Sequence, residues 1–381
     1  MTSVVEELKK GTYPSIIREL EKSKYVMPMY SEALKPDFYF TLFGYGGYIS
    51  IPGLGSGIAS RVTKRADLLP ETAYLRILDP GAGFYTTDAL RKICDIADKY
   101  GVGLLHLHAN TDTLEIKGID MKRVYEMVRE LNEKVGIDVG STGDDIRNLD
   151  PCMGPTLCEY ALVDAPAMRN ALGMACLEDQ QFPRFPHKFK IKLSGCPNDC
   201  SRGVQKGDLA FIGVFKDLSI VNETQLKEWV ATGGNIVDIC IRCPTRAMMW
   251  DGNDLKIDPD ACIRCFMCIN ECPAIKPGLE RGVAVLVGGK VGNRGKYGPQ
   301  LAKAIIPFME VHPPEYKEIV DITYRMIDIW DEHGRRKERF GDFILRFGLD
   351  KFLEAMDIEV TPQILDVPKT SAHIHYKLNV G

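Results

Sequence analysis

Lys188-Phe-Lys-Ile-Lys-Leu-Ser-Gly-Cys-Pro-Asn-Asp-Cys200 ends a strand-like run in a pair of thiols, and the matching pair lies upstream at Cys152-Met-Gly-Pro-Thr-Leu-Cys158. Thiolates at such short intervals can wrap an iron–sulfur cubane, because the loop between them can turn its backbone N–H groups toward the cluster sulfides. A second group follows at Cys262-Ile-Arg-Cys265-Phe-Met-Cys268-Ile-Asn-Glu-Cys272-Pro273, with Cys243-Pro244 before it. Eight of the twelve cysteines fall in these two groups, Cys243 counted apart, which points to electron chemistry.

The second run, C-x2-C-x2-C-x3-C-P, is the bacterial ferredoxin pattern, in which the cysteine before proline ligates the other cluster of a two-cluster domain. If Cys243-Pro244 remains from an eroded first half, one [4Fe-4S] cluster is expected on Cys262, Cys265, Cys268 and Cys243. Cys272 then belongs to a cluster whose other ligands are gone, since only Cys240 stays nearby. A zinc ribbon would instead need two well-separated C-x2-C pairs.

Composition sets the class. A chain of 381 residues, 45% hydrophobic and 26% charged, can bury two or three cores, and a net charge of -4 carries no nucleic-acid footprint. The N-terminal run has no apolar signal region and no apolar stretch reaches membrane-spanning length. Twelve cysteines with metal-type spacing suit a reducing compartment, so a cytoplasmic location without membrane insertion is expected. Cys94 and Cys176, outside both groups, are expected as buried small hydrophobes.

Along the chain, the glycine-rich stretch from Phe43-Gly-Tyr-Gly-Gly47 to Gly53-Leu-Gly-Ser-Gly57 lacks the pattern of a phosphate loop. From Ala73 the periodicity predicts a strand, a helix over Thr87 to Tyr100, strands at Leu104 to His108 and Thr113 to Ile116, and a helix over Lys122 to Val135. That order suits an antiparallel sheet with helices on one face, and argues an α+β class. A helix over Ala165 to Asp179, a strand over His187 to Leu193 that delivers Cys196, and a buried strand over Leu209 to Phe215 are expected next. Because Gly282 to Lys290 again reads as a core strand, the ferredoxin segment reads as an insertion. The expected division is 1–140, then 141–234 joined with 280–313 as the cofactor-binding part, the inserted module at 235–279, and a helical segment with a tail at 314–381.

Cys-x5-Cys, a long gap and Cys-x3-Cys is also the spacing of sulfite and nitrite reductases. The runs Arg147-Asn-Leu-Asp-Pro-Cys-Met-Gly-Pro-Thr-Leu-Cys-Glu-Tyr160 and Lys188 to Cys200, with Phe43 to Gly47, Phe84-Tyr-Thr-Thr-Asp-Ala-Leu-Arg91 and the ferredoxin insertion, resemble the dissimilatory sulfite reductases in the same order, over roughly residues 40 to 360. The single Gly195-Cys196-Pro197 resembles the alpha subunit, the beta subunit having two adjacent cysteines there.

The resemblance implies two sulfite-reductase half-repeats built on antiparallel sheets, siroheme and two [4Fe-4S] clusters. It places one cluster on Cys152, Cys158, Cys196 and Cys200, with Cys200 shared with the siroheme iron. Arg76, Arg147, Lys188 and Lys190 match the basic quartet that surrounds the substrate. Lys188 and Lys190, two apart on one expected strand, share a face. Siroheme is rich in carboxylates, so Arg61, Lys64, Arg65, Arg202, Lys206, Lys290 and Arg294 are candidates for its edge. His106 and His108 are expected as core or edge histidines rather than iron ligands. The implied assembly is an alpha2-beta2 heterotetramer, served by a small sulfur-carrier protein and an external electron donor.

One departure stands out. Leu104 to Thr113 carries no Arg where the catalytic half-repeats of the family it resembles have one near a Thr, which leaves a non-catalytic electron-transfer or structural subunit of the complex as an alternative. Nitrite reduction is the other alternative, since the same cations bind either oxyanion.

Overall fold

The computed structural model describes residues 73–108, 113–220, 223–292 and 297–361, with the backbone of 49–51 and 55–60 and the single residues Lys10, Glu21 and Ile364. Two compact units make up the chain, Met1–Asn148 with Cys176–Lys188, and Leu149–Ala175 with Phe189–Gly381.

In the first unit, strands β1 (Ile49–Ile51), β2 (Gly55–Ser60), β3 (Ala73–Arg76), β4 (Leu104–His108) and β5 (Thr113–Ile119) form one antiparallel sheet in the order β1-β2-β3-β5-β4. Helix α1 (Thr87–Tyr100) begins, at the residue expected, just after Thr86, whose hydroxyl accepts the Ala89 N–H at 3.1 Å as the cap. Ile93, Ile96, Ala97 and Tyr100, spaced at helical intervals, bury one face of α1 against Leu75, Ile77, Leu114 and Ile116. Cys94 falls on the other face and is exposed, which corrects the expectation of a buried thiol; Cys176 is buried as expected. Helix α2 (Val124–Glu130) continues as a π turn through Leu131–Val135 and adds Val124, Met127, Val128 and Leu131 to the same core.

The expected helix over 165–179 is two helices, α3 (Ala165–Ala175) and α4 (Leu177–Gln181), broken at Cys176. The chain divides there, since α4 belongs to the first unit and α3 to the second.

The second unit is built on a sheet of β6 (Asp150–Pro151), β7 (Ile191–Ser194), β8 (Leu209–Phe215), β13 (Arg281–Val287) and β14 (Lys303–Met309), in the order β14-β13-β8-β7-β6. The antiparallel pattern holds for β8, β13 and β14, whereas β7 pairs in parallel with both β8 and β6. Parallel neighbours need crossovers, and the sequence supplies them in the cysteine loops, the second followed by the short helix α5 (Gly203–Lys206). Strand β7 starts at Ile191, where its pairing with β8 begins, and pairing with β6 follows from Lys192, so Lys188 and Lys190 precede the strand rather than sit within it.

Between β8 and β13 the chain forms a separate small hydrophobic cluster. Its elements are β9 (Leu218–Ile220), α6 (Glu223–Ala231), α7 (Ile236–Arg242), the hairpin β10 (Met248–Trp250) and β11 (Leu255–Ile257), α8 (Met267–Glu271), and β12 (Ile275–Pro277), which returns to pair with β9. This cluster takes in Leu226, with Leu218 and Trp229 packed against it, so it reaches further back than residue 235.

Helices α9 (Lys317–His333), α10 (Phe340–Phe347) and α11 (Leu349–Ala355) match the expected helical segment. The rings of Phe189, Trp330 and Phe340 meet at 5.2–5.7 Å, and each side chain so buried contributes about 1.5–3 kcal/mol or more. Arg339 clamps the fully buried Asp208 with three hydrogen bonds of 2.7–3.1 Å, fixing the start of α10 beside β8. Among the described residues no helix is long and apolar enough to cross a membrane.

Candidate metal centres and anion site

Parallel pairing decides where the first thiols go. Cys152 is the first residue beyond β6 and Cys196 the second beyond β7, at the carboxyl ends of adjacent parallel strands, where open sheets with crossovers commonly place ligands. The Cys152 N–H donates to the Leu193 carbonyl at 2.9 Å, and the N–H groups of Gly195 and Gly154 point at its sulfur at 3.0 and 3.4 Å. Burial, with neighbouring Cys200, Cys152 and Cys158, raises the Cys196 thiol, while burial followed by Cys152 and Cys158 raises Cys200. The four thiols therefore feel one another. Four thiolates would repel, and bound iron supplies the positive charge that reverses this, so the donor set fits a cluster.

The loop is held from within. Asp199 accepts from the Ser194 hydroxyl at 2.9 Å and from the Gly203 and Val204 N–H groups at 2.7 and 2.9 Å, tying the cysteine turn to the start of α5. Asp199 and Arg202 both sit at positive φ, 49° and 60°. On the neighbouring strand, a Cβ at Gly213 would lie 2.2 Å from the Gly195 carbonyl oxygen. Gly213→Ala must therefore push β8 from the turn leading into Cys196. It is expected to cost at least about 1–3 kcal/mol and to lower the iron content of the first centre, read by thermal melting and iron assay.

The second set is gathered inside the small cluster. Cys243, Cys262, Cys265 and Cys268 line one cavity with Leu218, Pro244 and Met267, and neither Cys272 nor Cys240 lines it. Burial and the nearby thiols push Cys265 up to about 11 and Cys268 higher still, again a set that iron would relieve. The loop is wound by Arg264 and Phe266 at φ 58° and 67°, a conformation rare for such side chains and held here by tertiary contacts. Arg264 donates to the Lys216 and Cys262 carbonyls at 2.7 and 2.9 Å, and Phe266 stacks edgewise on Phe215 at 4.8 Å. Among the described residues no three His, Cys, Asp or Glu side chains converge on a single-ion site. The thiols surround a space instead.

The first unit carries a charged face that is nonetheless buried. Alternation on β3 and β5 turns Leu75, Leu114 and Ile116 into the core and puts Tyr74, Arg76, Glu115 and Lys117 on the opposite face, where Arg76 pairs across the strands with Glu115 and Tyr74 with Lys117. Arg76 Nε donates to Glu115 at 3.0 Å, and Glu115 also meets Lys117 and, at 2.9 Å, His106 Nδ1. Burial alone would raise Glu115, but His106, Lys117 and Arg76 overcome it and hold the carboxyl well below the usual carboxylate range. His108 is depressed to about 4, chiefly by burial, and is neutral near pH 7. Both histidines sit on the edge strand β4.

Arg147 reaches the same place. Its Nη1 and the Nη1 of Arg76 donate to one carbonyl, that of Ser141, at 2.9 and 3.1 Å, while Arg147 Nη2 donates to Gly143 at 2.7 Å. Beside it lies Asp145, fully buried, with Oδ1 3.4 Å from Arg147 Nε but outside hydrogen-bond geometry. Both Asp145 oxygens, Arg147 Nε and Thr142 Oγ1 have no hydrogen-bond partner among the described residues. Orphaned buried polar atoms are costly, so these groups call for a role beyond packing.

Of the remaining candidates, Lys188 and Lys190 are partly buried on either side of buried Phe189, and belong to different units. Lys192, which the sequence reading did not select, is buried against Asp150 two residues before Cys152. Arg202 and Lys206 lie at the two ends of the short helix α5, and burial together with Arg202 depresses Lys206. Lys290 is buried and paired with Asp342 at 2.7 Å. Arg61, Lys64, Arg65, Arg294, the Phe43–Gly47 motif and residues 109–112 lie outside the described residues.

Comparison with known proteins gives the family. The nitrite and sulphite reductase 4Fe-4S domain matches residues 142–364, and the nitrite/sulfite reductase ferredoxin-like half domain matches residues 70–134. The chain belongs to the nitrite and sulfite reductase family. Within that family it is 32% identical to the alpha subunit of the dissimilatory-type sulfite reductase of Allochromatium vinosum, over 98% of this chain and 93% of that subunit. Against the beta subunit from Archaeoglobus fulgidus the identity is 25%, over 81% of this chain and 84% of that subunit. A crystal structure of dissimilatory sulfite reductase I superposes with a TM-score of 0.76 at 27% identity, covering 99% of this chain and 95% of the other. The likeness thus favours the alpha type, and the family's fold of half-domains on helix-backed sheets is the one described above.

Proposed function

We propose that this chain is the alpha subunit of a dissimilatory sulfite reductase, working with a homologous beta subunit in the six-electron reduction of sulfite toward sulfide. The observation that carries this reading is the gathering of Cys152, Cys158, Cys196 and Cys200 beyond the ends of β6 and β7, in a chain with the family's full-length likeness. Siroheme, when bound, would supply a redox-active iron for reducing the oxyanion, next to the [4Fe-4S] cluster as electron reservoir.

The chain's own residues do the rest. The four thiolates would hold the cluster, with Cys200 the one shared with the siroheme iron. Gly195 and Gly154 N–H groups on the Cys152 sulfur disperse its charge, which raises the reduction potential of a cluster so ligated. Arg76 and Arg147, their guanidinium groups fixed by the Ser141 carbonyl, would bind the oxyanion, and Lys188 and Lys190 would complete the cationic set and supply protons. Arg202 and Lys206 would meet siroheme carboxylates, which would offset the burial and the Arg202 charge that depress Lys206. Arg61, Lys64, Arg65 and Arg294 are further candidates for that edge, while the Asp342 pair of Lys290 supports a structural role.

Cys243, Cys262, Cys265 and Cys268 would hold the second [4Fe-4S] cluster, in an inserted ferredoxin module that takes electrons from an external donor. An alpha2-beta2 assembly, a small sulfur-carrier protein as partner and a cytoplasmic location complete the reading. Co-purified with its beta subunit, the protein should show siroheme absorption and reduce sulfite faster than nitrite. Nitrite turnover exceeding sulfite turnover would favour the nitrite-reducing alternative. If the chain alone matched the complex in cofactor content and rate, the assembly would be refuted.

A further inference from the structure

We propose that Asp145 is a positioning residue that couples oxyanion binding at the Arg76–Arg147 pair to the uptake of one proton. This rests on the reading of those two arginines as the anion's ligands.

The geometry leaves this carboxyl no other evident task. Asp145 is fully buried, faces Arg147 Nε at 3.4 Å, and has no hydrogen-bond partner on either oxygen among the described residues. Arg147 is already fixed by the Ser141 and Gly143 carbonyls, so Asp145 is not needed to hold its guanidinium. What it supplies is a variable charge next to Arg76 and to Arg147, which burial depresses to about 10 and which is still positive near pH 8. The groups acting on it are Arg147, Arg76, the adjacent Asp144, which is itself paired with His187 at 2.9 Å, and its own backbone N–H. Arg76 has its own permanent counter-ion in Glu115, so Asp145 is the acid beside the pair that can change state near neutrality.

Burial, only partly offset by Arg147 and Arg76, holds Asp145 up to about 8. Below that pH the carboxyl is neutral and the arginine pair presents its full positive charge. Above it, the ionised carboxylate competes with an arriving anion. An anion on the guanidinium groups in turn favours the protonated acid, so anion and proton bind together, the proton passing from bulk water to an Asp145 oxygen. The linkage is reciprocal.

Nitrite is the suitable probe, since its own charge does not change over this range. In the assembled alpha–beta complex, nitrite affinity should fall as pH rises through 8 toward 9.5, approaching about tenfold per unit at the limit of one linked proton. Titration calorimetry in buffers of different ionisation enthalpy should show proton uptake near pH 8.5. In Asp145→Asn the uptake per alpha chain should drop by up to about one proton and the pH slope should flatten, whereas Asp145→Glu should restore both. An unchanged slope and uptake in Asp145→Asn would overturn the coupling.

Arg147→Gln separates the two readings. If it leaves nitrite affinity untouched, the anion site itself is misplaced; if it weakens binding while Asp145→Asn changes nothing, the coupling alone fails. Should the variants not assemble, nitrite-induced infrared difference spectra of the unaltered complex decide the matter. A new protonated-carboxyl band supports the proposal, and its absence at pH 8.5 overturns it.

Discussion

Replacing Cys200 by serine should remove the siroheme absorption and about half of the cluster iron while leaving the second cluster's reduced-state resonance in place. Cys200 is exposed at the end of a turn that does not depend on its sulfur. Asp199 ties that turn to Ser194, Gly203 and Val204, and Ser194 shares a 2.6 Å hydrogen bond with Ser201. The fold should therefore survive, with a melting temperature lowered only by what the cluster itself contributed. Activity should fall below detection, because the shared thiolate is the proposed connection between electron reservoir and substrate-binding iron. Equal loss of both clusters in an iron count would contradict two independent centres.

Much of this was legible before any coordinates. Leu209 to Phe215 reads as an unbroken apolar strand because β8 is covered on both faces, and the ends match to the residue. The β-α-β-β-α order from Ala73 to Val135 is legible for a different reason: α1 and the strands beside it bury one face each, so the periods of 3.6 and 2 survive in the sequence. The parallel pairing of β6 and β7 is not legible. Asp150–Pro151 is too short to carry a period, and its partner is some forty residues away. A longer separation still hides the pairing of β9 with β12, which draws Leu218 into the ferredoxin-like cluster.

At the site, cysteines announce themselves because few other roles explain such spacing, and arginines next to cysteine motifs are nearly as plain. Glu115, Lys117 and Asp145 were missed. Thr113-Leu-Glu-Ile-Lys117 alternates like a strand with a solvent face, and only the burial of that face shows that its charges neutralise one another. Asp145 gave one signal, its position two residues before Arg147, but adjacency cannot distinguish a surface acid from a buried orphan.

The two Cys-Pro sequences of the inserted module offer the sharpest remaining contrast. Cys243→Ala should abolish the second cluster, and Cys272→Ala should leave it intact. Cys243 shares a cavity with Cys262, Cys265 and Cys268, and its charge is felt by all three. Cys272, by contrast, is fully buried in the module's hydrophobic cluster, where its N–H closes α8 on the Cys268 carbonyl at 2.8 Å. It is raised by burial and feels Lys276 rather than the other thiols. Losing its sulfur removes a packed atom and leaves a small cavity, a cost of about 1 kcal/mol that should lower the melting temperature slightly. Electron paramagnetic resonance of the reduced complex reads both variants. A cluster lost in Cys272→Ala but kept in Cys243→Ala would mean that the fourth ligand follows the motif in sequence, and that the cavity marks packing rather than the cluster's seat.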